Sequence, residues 1–202
     1  VSGQGGDQDG SGGIVQYDLP TSTWNTSVLP SGQVDRVTAY QSSSGHTWVS
    51  WGELGLEVYS PSGAKLGFWD NLEFPIREIV EYDGLVLFAT EDGVERFNET
   101  TFSWESTWTP GNGLPNNVGD WVGELWTDGQ HLLVGTATFA WWGGFQRGVI
   151  GHLDGSTSLW STVETGQNGI PNGYPLSMSQ CGSYVYIGLL NNNGGIVSMD
   201  LN

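Results

Sequence analysis

Basic residues are scarce in this sequence. Its 202 residues include 5 Lys plus Arg against 22 Asp plus Glu, which gives a formal net charge of −17. Binding to a nucleic-acid backbone or to an anionic membrane surface depends on clusters of Lys and Arg. The charge therefore argues against both kinds of partner. The sequence also contains no apolar run of the length that a transmembrane helix needs, so membrane insertion is not expected.

Cysteine is almost absent. Cys181 has no second cysteine with which to form an internal disulfide, and the alternating run around it predicts a strand in which it is buried. An acidic chain that is poor in Lys is typical of secreted proteins, so we expect an extracellular or cell-surface location. Because the sequence starts at Val1 rather than Met, we expect processing or excision at that end. After export, Asn25 and Asn98 would be glycosylation sites, since each begins an Asn-x-Ser/Thr sequon.

Catalytic motifs are missing as well. The sequence has no G-x-S-x-G, no H-E-x-x-H and no Cys/His metal spacing, and its four arginines are scattered along the chain. His46, His131 and His152 are isolated, which favours structural or surface roles. Turn chemistry already accounts for the aspartates that could form an acid pair. These are Asp83, Asp92, Asp120, Asp128 and Asp154. We therefore predict no catalytic residue, no enzyme activity and no required cofactor.

Glycine and tryptophan are abundant. The chain has 32 Gly and 11 Trp, and 12% of its residues are aromatic, whereas only 13% are charged. This composition indicates a turn-rich globule with an aromatic core rather than a disordered chain. Apolar residues alternate with polar ones in short runs that end at Gly and Asp, as in Asn112 to Thr136. That pattern is typical of β-strands, and the length suits one all-β domain.

The first residues, 1–12, are rich in Gly, Ser, Asp and Gln and predict a flexible linker. A second interpretation is a calcium loop, because Asp7, Asp9, Ser11 and Asp18 fall at positions 1, 3, 5 and 12 of the EF-hand pattern. Such a loop needs flanking helices, and the residues after Asp18 are not helical in pattern. The linker is therefore favoured over a Ca²⁺ site.

A strand that opens with Gly and ends in a polar residue recurs along the chain. The copies are GIVQYD at 13–18, GLEVYS at 55–60, GVERFN at 93–98, GVIGHLD at 148–154 and GIVSMD at 195–200. Each of the first four is followed by an aromatic strand, a proline turn and a pair of runs closing on WVSW, LFAT, LVGT or YIGL. The spacing is near the ~40–50 residues of a four-stranded propeller blade. The recurring Gly predicts a tight or positive-φ connection.

These repeats predict an all-β fold, namely a β-propeller built of four-stranded antiparallel blades. We place the propeller at 13–202, with repeats at 13–54, 55–92, 93–147 and 148–194 and a closing strand at 195–202. With blade strands named A to D, the order is C-D, then A-B-C-D three times, then A-B-C. This leaves four repeats plus one surplus strand. A four-bladed ring with a displaced strand, a piece of a larger propeller, and several chains that complete one another all remain open.

One repeat carries a family resemblance. Gly113-Leu114-Pro115-Asn116-Asn117-Val118, then Leu133-Val134-Gly135-Thr136, then Gly148-Val149, resembles the repeat of two-component-regulator-type, WD40-like β-propellers. All four repeats carry the pattern in weaker form. The resemblance implies a propeller with a role in ligand sensing, protein binding or scaffolding. It transfers no catalytic residue.

An insertion gives the best candidate site. Between Thr136 and Gly148 the chain reads ATFAWWGGFQR, where the second repeat has only two residues. We expect this to be a loop that projects aromatic side chains, which suit stacking on sugar rings or anchoring of a protein. The predicted ligand or partner residues are Phe139, Trp141, Trp142, Phe145 and Arg147. The alternative is that they fold back as a local cap.

Two functions follow from these observations. The favoured one is a non-catalytic extracellular propeller that binds protein or glycan, or its own copies as a homo-oligomer through strand exchange. The alternative is a secreted carbohydrate-active enzyme, a glycoside hydrolase or lyase, with acidic residues on the blade loops.

Overall fold

The computed structural model describes residues 16–18, 23–25, 37–70, 75–140, 144–190 and 194–201. The chain divides into two compact units, Val1–Ile76 and Arg77–Asn202. The described residues form strands, turns and a single 3₁₀ turn at Gly52–Leu54, so this part of the chain is all-β. None of it forms a helix of the length and apolar character needed to cross a bilayer.

The first unit contains a two-stranded and a four-stranded antiparallel sheet. Strands β1 (Gln16–Asp18) and β2 (Thr23–Asn25) pair with each other. The four-stranded sheet follows in chain order, with strands β3 (Thr38–Gln41), β4 (Thr47–Ser50), β5 (Leu56–Tyr59) and β6 (Lys65–Trp69). Trp48 of β4 is fully buried and stacks on Trp69 of β6, with ring centroids 5.8 Å apart. The aromatic strand predicted after each Gly-led strand thus anchors this sheet.

The second unit contains three larger sheets. The first has β7 (Ile79–Tyr82), β8 (Leu85–Thr90), β9 (Gly93–Asn98) and β10 (Ser103–Trp104). A short parallel pair follows, β11 (Thr109–Pro110) and β12 (Gly113–Leu114). The next sheet has β13 (Trp121–Thr127), β14 (His131–Phe139), β15 (Phe145–Asp154) and β16 (Leu159–Glu164). The last has β17 (Tyr174–Cys181), β18 (Tyr184–Leu190) and β19 (Gly195–Asp200).

The β13–β16 sheet carries a core on each of its faces. One core joins it to the β7–β10 sheet and the other joins it to the β17–β19 sheet. Members of the first core are Tyr82, Leu87, Ala89, Val94, Leu114, Val118, Val122, Leu125, Leu132, Val134 and Val149. Members of the second are Leu133, Ile150, Val185, Ile187 and Leu189. Because successive side chains of a strand point to opposite faces, β14 is buried along both.

Two of the recurring glycines have the positive φ that the sequence predicts. The φ of Gly55 is +125° and that of Gly93 is +133°, a region that side-chain-bearing residues rarely adopt. A Cβ on Gly93 would also lie 2.2 Å from the Trp108 carbonyl oxygen. Gly148 serves a different purpose, since its added Cβ would lie 2.2 Å from the Gly173 carbonyl oxygen. There the absence of a side chain permits close backbone approach.

The threonine that ends LFAT and LVGT ties strands together inside the core. Thr136 is fully buried, and its hydroxyl donates to the Val149 carbonyl at 3.1 Å while accepting from the Gly119 amide at 3.0 Å. Thr90 donates in the same way to the Gly93 carbonyl at 3.0 Å. Buried hydroxyls are stable only when their hydrogen bonds are made, so these repeats keep Thr for a structural reason.

The prediction of an all-β chain with several four-stranded antiparallel sheets is confirmed. Along the described residues there follow a two-stranded pair, two four-stranded sheets, the short parallel pair, a further four-stranded sheet and a three-stranded sheet. Two expectations are wrong. The expected loop at 137–147 is largely strand, because β14 extends to Phe139 and β15 starts at Phe145. Cys181 does end a strand, but it is exposed, since it pairs with Tyr184 next to the turn that joins β17 to β18.

Candidate functional site

The β14–β15 hairpin is the longest in the described part of the chain. Its strands have 9 and 10 residues, against 6 and 6 in β8 and β9. Phe139 pairs with Phe145 after a register shift at Thr138, and the Ala140 amide donates to the Gly144 carbonyl at 2.7 Å. The insertion therefore lengthens the hairpin. As a result, Phe139 and Phe145 lie in a part of it that has no counterpart in the shorter β8–β9 hairpin.

An aromatic cluster forms at the base of this extension. The Phe139 ring lies 5.5 Å from Trp121, 5.7 Å from Tyr174 and 6.1 Å from Phe145, measured between centroids. Phe145 also lies 5.5 Å from Tyr174. Edge-to-face contacts at these distances are favourable beyond the area they bury. Phe139 nevertheless stays 36% exposed, so the cluster has both a packed side and a solvent side.

The structure brings together two of the five predicted residues, Phe139 and Phe145. Arg147 is half-buried in β15 opposite Thr138. Within the described ranges, the cation over the cluster is instead Arg77, whose guanidinium carbon lies 4.4 Å from the Trp121 ring centroid. Trp141 and Trp142 lie outside the described residues. Trp121, Tyr174 and Arg77 escaped the sequence analysis because they are distant in sequence, and only the sheet order places them here.

A pair of half-buried glutamates was also missed. Glu78, Glu124 and Ser177 occupy equivalent positions, each beside the third residue of LFAT, LVGT or YIGL. The Met178 amide donates to Glu124 Oε1 at 3.1 Å, which links the β13–β16 sheet to the β17–β19 sheet. The sequence analysis weighed aspartates in turns only. A Glu at the same place in two repeats, directly before β7 and within β13, was the signal that could have revealed them.

The two glutamates have perturbed acidities. Burial, reinforced by the neighbouring Glu78 carboxylate, raises the pKa of Glu124 to about 8. Burial also raises the pKa of Glu78, opposed by the hydrogen bond from the Ile79 amide. Removing a carboxylate from water disfavours its charged form, and a like charge nearby does the same. At neutral pH, Glu124 is therefore mainly a protonated acid that can donate a hydrogen bond or a proton.

Two of the turn aspartates, Asp128 and Asp154, bind backbone amides of their own turns. Asp128 Oδ1 accepts from the Gln130 and His131 amides at 2.9 Å and 2.7 Å. Asp154 Oδ1 accepts from the Ser156 amide at 2.8 Å. Each closes the turn between two strands. Their carboxylates are thus occupied by local backbone groups rather than directed at a ligand.

The calcium prediction falls mainly outside the described residues. Asp7, Asp9 and Ser11 are not described, and Asp18 is described only as the last residue of β1. Within the described ranges, no three His, Cys, Asp or Glu side chains are grouped so as to hold a metal ion. Asn98 ends β9, and its Oδ1 accepts from the Thr100 amide at 2.9 Å. Asn25 ends β2, and its side chain is not described.

Comparisons with known proteins reveal the fold. No protein-family model and no curated protein sequence matches this chain. Extracellular domains of two hybrid two-component-system proteins from B. thetaiotaomicron match its structure with TM-scores of 0.63 and 0.64, at 20% and 16% identity. They cover 91% and 95% of this chain. The Swd1 β-propeller domain of Myceliophteria thermophila matches with a TM-score of 0.60 at 12% identity, covering 91% of this chain.

The chain has a propeller-like fold. At identities of 20% or less, these neighbours establish architecture alone. The chain spans 23% and 26% of the two-component-system domains and 60% of the Swd1 domain. The neighbours are extracellular domains of two-component-system proteins and a β-propeller domain. This is consistent with the resemblance found in the Gly-Leu-Pro and Leu-Val-Gly-Thr motifs.

Proposed function

We propose that this chain is a non-catalytic, extracellular β-propeller module of four repeats plus one surplus strand that binds a protein or glycan partner. The observation that carries the proposal is the β14–β15 hairpin, which extends past its counterpart and exposes part of an aromatic cluster. Aromatic side chains with a wet and a packed side are typical of binding surfaces. The fold neighbours, two of which are extracellular sensor domains, support the same role.

Replacing Trp141 and Trp142 together by Ala tests whether the hairpin binds a partner. Binding of the full chain to a panel of soluble and insoluble polysaccharides, and to its own copies, would be compared with that of the double variant. We expect at least a tenfold loss of binding, which corresponds to ~1.4 kcal/mol. Leu159→Ala is the matched control, because Leu159 is equally apolar, 69% exposed and at the opposite end of the β13–β16 sheet.

The proposal fails if the double variant leaves every interaction unchanged while the chain remains a monomer.

We also propose that copies of the chain associate through the last sheet. Among the described residues, the β17–β19 sheet has three strands where the preceding β13–β16 sheet has four, so β19 is the edge strand of its sheet. Light scattering on the intact chain should give a multiple of the chain mass. Ile196→Lys, at a position that is 75% exposed on β19, should shift the mass toward the monomer. A monomeric wild-type chain would contradict self-association but leave the hairpin proposal standing.

A second candidate function is favoured by the Glu78–Glu124 pair. Hydrolysis of a glycosidic bond uses two carboxyl groups, of which one is kept protonated by a raised pKa. Glu124 meets that requirement at neutral pH. The test is release of reducing ends from a broad polysaccharide panel at pH 5 and pH 7, with and without calcium. Activity that is lost in Glu124→Gln would establish the enzyme, and no turnover on any substrate would exclude it in favour of the binding module.

A further inference from the structure

A cleft lies at the other end of the β13–β16 sheet, remote from the aromatic hairpin. Three turns meet there: those that join β7 to β8, β13 to β14 and β15 to β16. The cleft has a volume of about 530 Å³, which falls within the usual size of a small-ligand site. Its lining residues are Tyr82, Asp83, Trp108, Gly129, Gln130, Leu153, Gly155, Ser156 and Ser158.

Trp108 gives the cleft a rigid aromatic wall. Its backbone exchanges two 2.9 Å hydrogen bonds with Val94. Gly113 lies so close that an added Cβ would be 2.0 Å from Trp108 Cδ1. The Arg96 guanidinium stands 4.7 Å from the ring centroid, and Trp160 meets the ring edge-on at 6.4 Å. These contacts fix the indole before any ligand arrives, which lowers the entropic cost of binding.

Polar groups at the rim remain uncommitted. Within the described ranges, no side-chain hydrogen bond is made by the Asp83 carboxylate, the Gln130 amide or the Ser158 hydroxyl, and the bonds of Gln130 and Ser158 there are made by their backbones. Their backbones are nevertheless held in tight turns: φ is +50° at Asp83 and +56° at Ser158. The Gln130 carbonyl accepts from the Gly155 amide at 2.8 Å, which fixes two of the turns to each other. The cleft thus presents donors and acceptors on a firm backbone.

The charged residue in the described lining of the cleft is Asp83, while the Arg96 guanidinium lies over the Trp108 ring outside that lining. No Lys, Arg or His belongs to its described lining. Burial and then the charges of Asp83, Asp154 and Asp128 raise the pKa of the Tyr82 hydroxyl, so these three carboxylates contribute a negative field at that side of the cleft. Phosphates, sulfates and acidic sugars are disfavoured by such a field. A neutral ligand with an apolar face and several hydroxyl groups matches the combination of indole, phenol, amide and hydroxyl.

We infer that this cleft binds one or two residues of a neutral carbohydrate, with Trp108 as the stacking wall and Asp83, Gln130 and Ser158 as hydrogen-bonding groups. An indole face suits the C–H face of a pyranose, and sugar hydroxyls both donate and accept. This site is separate from the aromatic hairpin and does not depend on it.

The inference is tested by titrating the full chain with neutral hexasaccharides of glucose, xylose and mannose. Binding is followed through the NMR shifts of the backbone amides and the tryptophan indoles. At least one sugar should shift the Trp108 indole signal together with the amides of Gln130 and Ser158. Gln130→Ala and Ser158→Gly should each weaken binding about tenfold. Both leave the core intact, and Gly accepts the positive φ of residue 158 without strain.

Gln146→Ala is the matched control, because Gln146 is an exposed glutamine at the hairpin end of the same sheet. It should leave affinity unchanged. If sugar binding is lost in the Trp141/Trp142 double variant but is unaffected by Gln130→Ala, the proposal of a sugar site in the cleft is overturned and the hairpin proposal is supported. Binding of choline in place of every sugar, or no shift with any probe, would also overturn it. If the cleft binds sugar and the Trp141/Trp142 double variant behaves as the wild type does, the hairpin proposal is refuted and the cleft proposal stands.

Discussion

Strands β14 and β18 hold the same place in neighbouring sheets, yet they meet different surroundings. Leu133 in LVGT is fully buried, whereas Tyr186, the corresponding residue of YIGL, is 45% exposed. Val134 and Ile187, the next residue of each motif, are both fully buried. The two strands therefore share a buried face that packs on the preceding sheet. They differ on the face that the following sheet would cover, which shows how burial in a repeat depends on its neighbours.

The residue types follow this difference. Leu133 contributes to the core shared with β17–β19. Tyr186 lies opposite Ser198, and Tyr184 opposite Asp200, on the exposed face. Tyr has a polar hydroxyl group that can stay hydrated at a surface, whereas the Leu side chain has no polar atom. The last sheet thus has a surface adapted to partial exposure, whereas both faces of β14 are adapted to a dry interior.

The largest expected effect is that of Leu133→Ala. It removes a fully buried side chain between two sheets, so we expect the free energy of unfolding to fall by about 2–5 kcal/mol. Chemical denaturation followed by tryptophan fluorescence measures the change. A loss below about 1 kcal/mol would mean that the two sheets are not packed as described.

Glu124→Gln should change how stability depends on pH. The pKa of Glu124 rises from a usual 4.5 to about 8 in the folded chain. Between those pH values the folded chain holds a proton that the unfolded chain has released, so stability falls as pH rises. The contribution is on the order of 4 kcal/mol between pH 4.5 and pH 8. Urea titrations at pH 5 and pH 8 measure the free energy of unfolding at each pH. We expect the difference between the two values to be much smaller in Glu124→Gln than in the wild-type chain.

Glu105→Gln, at an exposed position, serves as the control for that pH comparison. An unchanged pH dependence in Glu124→Gln would show that this carboxyl is not buried.

Thr136→Val tests the threonine that links β14 to β15 and to the segment that precedes β13. The substitution keeps the shape but leaves the Gly119 amide and the Val149 carbonyl with one hydrogen bond fewer. We expect a loss of about 1–3 kcal/mol, because buried polar groups are costly when unpaired. Thr138→Val is the control on the same strand, since its side chain is only half-buried. Equal effects of the two variants would contradict the role given to Thr136.

Tyr186→Ala should have the smallest effect. The side chain is 45% exposed on the β17–β19 sheet, so we expect a loss of less than about 1 kcal/mol in dilute solution. At high protein concentration, Tyr186→Ala can be compared with Leu133→Ala in a second way, through the mass of any oligomer. If copies associate through this sheet, Tyr186→Ala should lower the oligomer mass in light scattering. A loss as large as that of Leu133→Ala in a monomeric chain would show that Tyr186 is covered within the chain itself.

Much of the architecture could be predicted because its signals are local. Alternation gave the strands, recurring Gly gave the connections at Gly55 and Gly93, and the order of strands followed from counting repeats. The site was less accessible. Phe139 and Phe145 stood out as an insertion, but the rest of the cluster depends on which sheets are neighbours. Their contacts with Trp121 and Tyr174 join residues far apart in sequence.

Cys181 shows the same limit in a single residue. Its strand is encoded locally and was predicted correctly, while its exposure depends on how the hairpin ends. Alternation identifies two faces of a strand but does not say which of them a neighbour will cover.

By itself, the sequence determined the strand periodicity, the repeat length, the glycine turns and the acidic charge, since each depends on residues close in the chain or on composition. Only the tertiary structure decided that Glu124 is half-buried near Glu78, that Trp108 and Gln130 share a cleft, and that Tyr186 stays exposed where Leu133 is buried. The physical reason is that burial, electrostatic environment and concavity arise between sheets. They are set by which strands come together and not by the order of residues along any one of them.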